Sequence, residues 1–315
     1  MKLMGGKTLN NRGIALITVI LIVSVLIAFA IELNRSTRAD IYDAANVSDG
    51  IKLTYIAKSG VYGAVAALDV SKNDYVTLLD EWANMETLSV QSKELFEDGY
   101  FIVRVEDESG KIPLNKLAEN NKIYETLVSL LKLPEFALEE SKAEEIVAAI
   151  KDWIDADNDV TSGGVESSYY LSLDPPYRAK NKPLDCIEEL LMIKGVTKEI
   201  FAGTPEKPGL AQYVTVVGDE KINVNTAPVM VLRALSDFIT PEVAQKMDEY
   251  RRNKENNDVL GSDWYKYYEE SLGNIAKVQS NYFKIISSGK MNDMQQTITA
   301  IFNKSDKKIL QWRVD

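Results

Sequence analysis

The chain has 315 residues, enough for two ordinary domains, and its 45% hydrophobic content is enough for a packed core. Its 47 acidic and 36 basic side chains leave a formal net charge of −11, which disfavours a broad phosphate-binding surface. With no histidine and a single cysteine, Cys186, it lacks imidazole catalysis, histidine- or cysteine-built metal sites and any intramolecular disulfide, so chemistry is left to carboxylates, hydroxyls, lysines or a bound cation.

The first thirteen residues carry Lys2, Lys7 and Arg12 and no acid. Ile14 to Ile31 follow, eighteen residues without a charge, thirteen of them Ile, Leu, Val or Phe. As a helix this run is about 27 Å long, close to the hydrocarbon thickness of a bilayer. Its composition favours insertion by about 4 to 8 kcal/mol. The basic flank comes first, which predicts a cytoplasmic N-terminus and a chain that continues across the membrane. Three readings fit the segment: a removable signal with a small-residue site at Ala28-Phe29-Ala30, a plain anchor, or a processed anchor. The third rests on Arg12-Gly13-Ile14-Ala15-Leu16-Ile17-Thr18, which looks like the site cut by the type IV prepilin peptidase. Cleavage after Gly13 would keep the apolar helix on the mature protein. Typical pilins carry Glu at the fifth mature position, which here is Thr18.

Past the apolar run the chain stays helix-compatible. Leu53, Ile56, Gly60, Ala64 and Ala67 recur at steps of three and four, and their small members predict a stripe against which a sheet packs closely. Tyr100–Val105 reads as the first strand, with a turn at Ser109-Gly110. Helices are predicted over Ile123–Leu133, Ala143–Ile154 and Leu184–Ile193, the last stopped by Gly195. Tyr213–Val217 reads as a short extended piece. Lys221–Pro228 starts a further helix, with Thr226 as its N-cap. Tyr282–Ser287, Gln296–Phe302 and Lys308–Val314 close the chain as strands, with turns at Ser288-Gly289 and Asn303–Asp306. A strand near residue 100, a helical block and terminal strands predict an α/β body carrying an inserted helical domain.

Within Asp152–Asp159 four acids share eight positions. Counted from Asp155, the acids Asp157, Asp159 and Glu166 stand at positions three, five and twelve, the side-chain ligand places of an EF-hand loop. Position six is Val160 rather than Gly, and the sequence gives no strong helix signal directly after Glu166. The spacing predicts a structural calcium loop that is EF-like without being an EF-hand; a solvated acidic loop is the competing reading.

Ile222–Pro228 followed by Val231–Leu235 resembles the opening of helix-hairpin-helix DNA-binding modules, whose glycine-rich hairpins grip phosphate. The matching hairpin here, Ser236–Pro241, has no glycine and includes Asp237. A second echo, Leu190–Phe201, has the single hairpin glycine Gly195. The fold is expected to be shared without nucleic-acid binding. A DNA-handling protein of a competence-like filament is the alternative function. Tyr169, Tyr170 and Tyr177 are read as exposed tyrosines open to contact with partners or cargo, with core packing expected for at least half of them.

Together these residues resemble the K-type minor pseudopilins of bacterial type II secretion. The likeness rests on the RGIALITVILIV start, AAIKDWIDADND with GGVESSYY, PPYRAKNKPLDCIEELLMIKGVTKEIF, KINVNTAPVMVLRAL and the terminal strands. It implies an α+β pseudopilin fold, a long N-terminal helix on a small antiparallel sheet, with a large all-α insertion containing helix-hairpin-helix-like elements. The corresponding division is a leader over 1–13, a transmembrane and pilin helix over 14–70, a pseudopilin body over 71–111 and 276–315, and an insertion over 112–275. It also implies cleavage after Gly13, methylation of the new N-terminus at Ile14, and a place at the pseudopilus tip. Implied partners are the I-type and J-type minor pseudopilins, other pseudopilins, prepilin peptidase and the inner-membrane secretion platform. The implied location is the inner membrane, single-pass, with a cytoplasmic N-terminus and a periplasmic body. Calcium binding is carried over to Asp155, Asp157, Asp159 and Glu166. No enzymatic activity is expected; a hydrolase using two of the clustered acids lacks an acid–base pair set apart from the metal-like spacing.

Overall fold

The computed structural model describes residues 11–70 and 74–315. Most of the expected leader, residues 1–10, lies outside the described residues. The helix α1 runs over Asn11–Val70, and the chain divides into two compact units, Met1–Tyr55 and Ile56–Asp315. In the first unit the apolar segment shows Ile14, Leu16, Ile17, Ile20, Leu21 and Phe29 more than half exposed, so these side chains are not packed into a core. The helix is long and apolar enough to cross a membrane.

The second unit holds a four-stranded antiparallel sheet of order β1-β6-β7-β8, built from Tyr100–Asp107, Tyr282–Met291, Met294–Asn303 and Lys308–Val314. Strict alternation along β1 and β6 turns Phe101, Val103, Val105, Phe283 and Ile285 to one face. There they meet Ile56, Ala57, Val61, Ala64 and Leu68 of α1. Gly60 makes the approach possible: a Cβ there would sit 2.2 Å from Ser287 Oγ and 2.8 Å from Val103 Cγ2. The expected stripe is thus buried at Ile56, Gly60 and Ala64, while Ala67 lies at its half-exposed flank. The outer edge of β1 is closed by side chains from the short helix α2 (Met85–Ser89) and the 3-10 turn after it. Ser89 Oγ accepts from the Val103 N–H at 2.9 Å, and Ser92 Oγ accepts from the Phe101 N–H at 3.0 Å.

A separate core fills the block between β1 and β6. It draws on Ile123, Leu127, Leu130 and Leu131 of α3 (Asn121–Leu131), on Ile146, Val147 and Ile150 of α4 (Glu140–Ile154), and on residues as far as Val278. The core residues of the sheet body are drawn from 56–105 and 283–302 and those of the helical body from 112–278, so Ala276 and Val278 pack with the helices. Short helices α5 (Ser167–Tyr170), α6 (Lys198–Ala202), α7 (Val229–Ala234) and α8 (Pro241–Arg252) complete it. Two parallel ladders of two residues each, β2·β3 (Ile112–Pro113 with Val214–Thr215) and β4·β5 (Ile222–Asn223 with Ala276–Lys277), tie distant segments together.

Several expectations are corrected here. Ser288 and Gly289 lie inside β6, because Ser288 pairs with Thr297 and Gly289 with Gln296. The turn comes at Asn292-Asp293, where Asn292 takes φ +50°. Leu184–Ile193 is wound only as a 3-10 helix over Ile187–Met192. The Glu189 carboxylate accepts from the Asp185 and Cys186 N–H groups, which fixes a tight first turn. Thr226 does not cap α7, whose N-cap is Pro228; its hydroxyl is taken by Asp107.

That aspartate joins the two bodies. Asp107, at the end of β1, is buried and accepts hydrogen bonds from the Ser280 hydroxyl, the Thr226 hydroxyl at 2.5 Å, Asn223 Nδ2 at 3.3 Å and the Ser109 N–H at 2.8 Å. Ser109 Oγ in turn accepts from the N–H groups of Asn281 and Tyr282. Both places where the chain passes between sheet and helices are thereby bonded to each other. Burial outweighs these donors and raises the carboxyl above its usual range. A carboxyl raised on folding contributes stability that is full below the unfolded value, about 4, and lost as pH rises through the folded one. Asp107→Ala leaves up to four donors without their acceptor and is expected to cost about 3 kcal/mol. The loss should be larger at pH 4 than at pH 7, and denaturant melts of both proteins at the two pH values check this.

Candidate functional site

The acidic loop leaves the C-terminal end of α4. Asp152, in the last turn, is fully buried, and both its carboxylate oxygens accept from the Thr161 N–H at 3.1 and 3.2 Å. That bond folds the loop back over the helix end. Gly164 is required by the same closure, since a Cβ there would lie 2.1 Å from Asp152 Oδ2. The loop then ends in α5, whose N-cap is Glu166 itself, with Oε2 accepting from the Ser167 N–H at 3.3 Å. A one-turn helix therefore does follow Glu166, although it is too short to announce itself through periodicity.

Asp155, Asp157 and Glu166 each place one carboxylate oxygen so that the three lie within 4.8 Å of one another. Oxygens at 2.3–2.6 Å around one hard cation lie at most about 5 Å apart, so the three can share one ion. Asp159 stands outside the group; its N–H donates to Asp157 Oδ1 at 2.8 Å and so helps orient that carboxylate. Asp155 Oδ1 and Glu166 Oε1 are both buried without a hydrogen-bond partner, and Glu166 is only 3% exposed. Burial, then the charges of Asp157 and Asp152, push the Asp155 carboxyl up to about 6. Glu166 is raised for the same reasons, burial first and then Asp152 and Asp155. Asp157 is exposed and Asp155 half-buried, but carboxylates facing one another with buried, unpartnered oxygens are costly without a cation, and a divalent ion removes both the repulsion and the missing partners. The donor set, hard anionic oxygens with no nitrogen or sulfur, suits calcium.

The aromatic residues beside the loop are packing residues. Tyr170 is fully buried and packs edge-on against Trp153 at 5.0 Å and Tyr169 at 5.3 Å, while Tyr169 and Tyr177 are partly buried against the same core. The hairpin between α7 and α8 presents Asp237 and Phe238, the latter 75% exposed, and Thr240 Oγ1 already accepts from the Val243 N–H. Asn223 and Asn225 of the preceding motif are internal brackets: Asn225 Nδ2 donates to the Leu260 carbonyl, and Asn225 Oδ1 accepts from the Trp264 indole.

At the N-terminal end Gly13 and Ile14 lie in the first turns of α1, both exposed, and nothing stands within 4 Å of a Cβ built on Gly13. Thr18 Oγ1 donates to the Ile14 carbonyl at 3.0 Å, so the position where typical pilins are expected to carry a carboxylate offers a hydroxyl turned onto its own helix.

Residues 102–218, which include the acidic loop, match the family described as type II secretion system (T2SS), protein K. A type II secretion system protein K of Pseudomonas aeruginosa is 28% identical over 95% of this chain and 91% of its own length. One from Aeromonas hydrophila is 24% identical over 96% of each. The chain resembles type II secretion system protein K. The resemblance extends to the fold: a chain in the crystal structure of the GspK-GspI-GspJ complex from enterotoxigenic Escherichia coli superposes with a TM-score of 0.65 at 21% identity. It covers 86% of this chain and 99% of that one. The K-type likeness therefore takes in α1, the sheet and the helical body together.

Two residues of the loop's surroundings carry no sequence signal of their role. Asp152 is hidden among its acidic neighbours, and Asn181 lies well downstream of the loop. The Asn181 backbone N–H donates to the Trp153 carbonyl at 2.9 Å, and its φ of +46° is one that asparagine tolerates better than most residues.

Proposed function

We propose that this protein is a minor pseudopilin of a type II secretion system, acting at the tip of the pseudopilus with I-type and J-type partners to cap or initiate the filament and assist export. The likeness to K-type proteins over nearly the whole chain carries this reading. In it the apolar part of α1 sits in the inner membrane, the N-terminus is cytoplasmic and the body after the membrane segment is periplasmic. Prepilin peptidase cuts after Gly13 and Ile14 is methylated. In a filament packed through such helices, a fifth-position carboxylate would neutralise a neighbour's terminal ammonium in apolar surroundings. Thr18 supplies no such charge, which suits a terminal subunit better than a repeating one. Calcium, in this reading, is structural: Asp155, Asp157 and Glu166 hold it, and it fixes the acidic loop between α4 and α5.

The intact mass of the protein extracted from membranes tests the processing. Cleavage after Gly13 plus one methyl group is expected, and a Gly13→Arg variant should keep its full leader. A mass corresponding to cleavage after Ala30 would refute the anchored reading. Co-purification of detergent-extracted protein with its I-type and J-type partners tests the assembly, and failure to recover them would count against tip placement.

A further inference from the structure

Asp155 Oδ1 and Glu166 Oε1 are not the only oxygens near the loop that lack partners. Asn181 Oδ1 is buried with none as well. Its side chain is anchored on the loop, because Asn181 Nδ2 donates to the Asp157 carbonyl at 2.5 Å and to Asn158 Oδ1 at 3.2 Å. These two acceptors fix the orientation of the amide. A carbonyl can only accept, so the nitrogen must face Asp157, and the oxygen is left on the other side. No alternative flip satisfies the group.

Asn181 belongs to a segment, residues 178–184, that has no helix or strand of its own and is held at three points. The Ala179 N–H donates to Ser167 Oγ at 3.2 Å, just beyond Glu166. Lys180 pairs with Asp185 and Glu189, and the Leu184 N–H donates to Asn115 Oδ1 at 2.7 Å. The segment therefore crosses the acidic loop at both ends of its ligand set.

We propose that Asn181 supplies a neutral amide oxygen to the cation held by Asp155, Asp157 and Glu166, so that the ion staples the 178–184 segment to the loop. The inference rests on the calcium reading above and adds a ligand from outside the acidic run. An amide oxygen is a common calcium ligand, and a neutral one raises coordination number without adding to the repulsion among the acids.

The test uses the full chain in detergent, with calcium chloride as the probe. Calorimetry compares wild type with Asn181→Ala, and amide exchange is followed over residues 178–184 with calcium and with chelator. Asn181→Ala is expected to weaken calcium binding by at least about 10-fold, since losing even a residue that only orients a ligand costs about 10- to 100-fold. Calcium should slow exchange in 178–184 of the wild type and not in the variant. Asn158→Ala removes one anchor of the amide and leaves its oxygen, so its affinity should fall less. Thermal melts in chelator show whether Asn181→Ala still folds. If it does not, Asn181→Gln, which lengthens the side chain and withdraws the oxygen from its place, stands in for it. Unchanged affinity in the folded variant overturns the Asn181 assignment alone. A wild type that binds no calcium overturns the calcium reading and this inference together.

Discussion

Gly60→Leu is expected to lower stability by about 3 kcal/mol, at the upper end of overpacking penalties. Three atoms already stand within 3.0 Å of the position a Cβ would take: Ser287 Oγ at 2.2 Å, Val103 Cγ2 at 2.8 Å and Phe101 Cδ2 at 3.0 Å. Val103 and Phe101 are rooted in β1, whose register against β6 is fixed over its full length, so neither can retreat without moving the sheet. The helix must lift away from the strands, which opens gaps around Ile56, Val61 and Ala64 as well. Gly63→Leu is the control. Gly63 is exposed on the same helix with nothing within 4 Å, and its substitution should change stability little and in the favourable direction of helix propensity. Thermal melts of the full chain in detergent decide the matter. Equal midpoints for the two variants would mean that α1 does not pack on the sheet through Gly60.

With calcium in the proposed site, Glu166→Gln is expected to reduce its affinity by about 100-fold and to abolish most of the thermal stabilisation expected from the ion. Glu166 is the most buried of the three clustered acids, and its free oxygen is, with that of Asp155, one of the cluster's two buried carboxylate oxygens without a partner, so no solvent compensates for its loss. The variant should behave oppositely without metal. Asp155 is pushed up to about 6 by burial and by its acidic neighbours, and Glu166 is raised as well. Carboxyls raised on folding make the metal-free protein lose stability as pH rises from about 4 through 6. Removing one charge relieves that cost, so metal-free Glu166→Gln should melt higher than metal-free wild type at pH 7. Calcium favours the ionised carboxylates and should reverse the pH slope in the wild type only. Melts at pH 5 and pH 7, with calcium and with chelator, check all four corners. A wild-type midpoint unmoved by calcium would remove the metal from the account.

The acidic cluster illustrates how far linear spacing reaches. Alternate acids at 155, 157 and 159 are equally spaced along the chain, yet Asp159 lies outside the cluster and lends it only a backbone N–H, bonded to Asp157. Spacing gives the candidates, and loop closure selects among them. That closure depends on Asp152 and Gly164, residues whose roles follow from a contact of 2.1 Å and not from any motif. Asn181 was illegible for a simpler reason: its contribution comes across 24 residues of chain from Asp157.

By itself the sequence determined what depends on neighbours along the chain. An uninterrupted apolar run makes a membrane-length helix, small residues at steps of three and four make a close-packing stripe, and alternating β-branched and aromatic residues make β1, β7 and β8. Each is a local pattern whose period matches the geometry of one element. The tertiary structure decided what depends on residues meeting from far apart. It moved the β6–β7 turn from Ser288-Gly289 to Asn292-Asp293, because cross-strand pairing kept the strand going. It diverted Thr226 from capping a helix to bonding Asp107, and it brought Ser280 and Ser109 to the same joint from opposite ends of the insertion. Hydrogen bonds and burial at such crossings are satisfied by partners whose separation in sequence is arbitrary, so no window along the chain contains them.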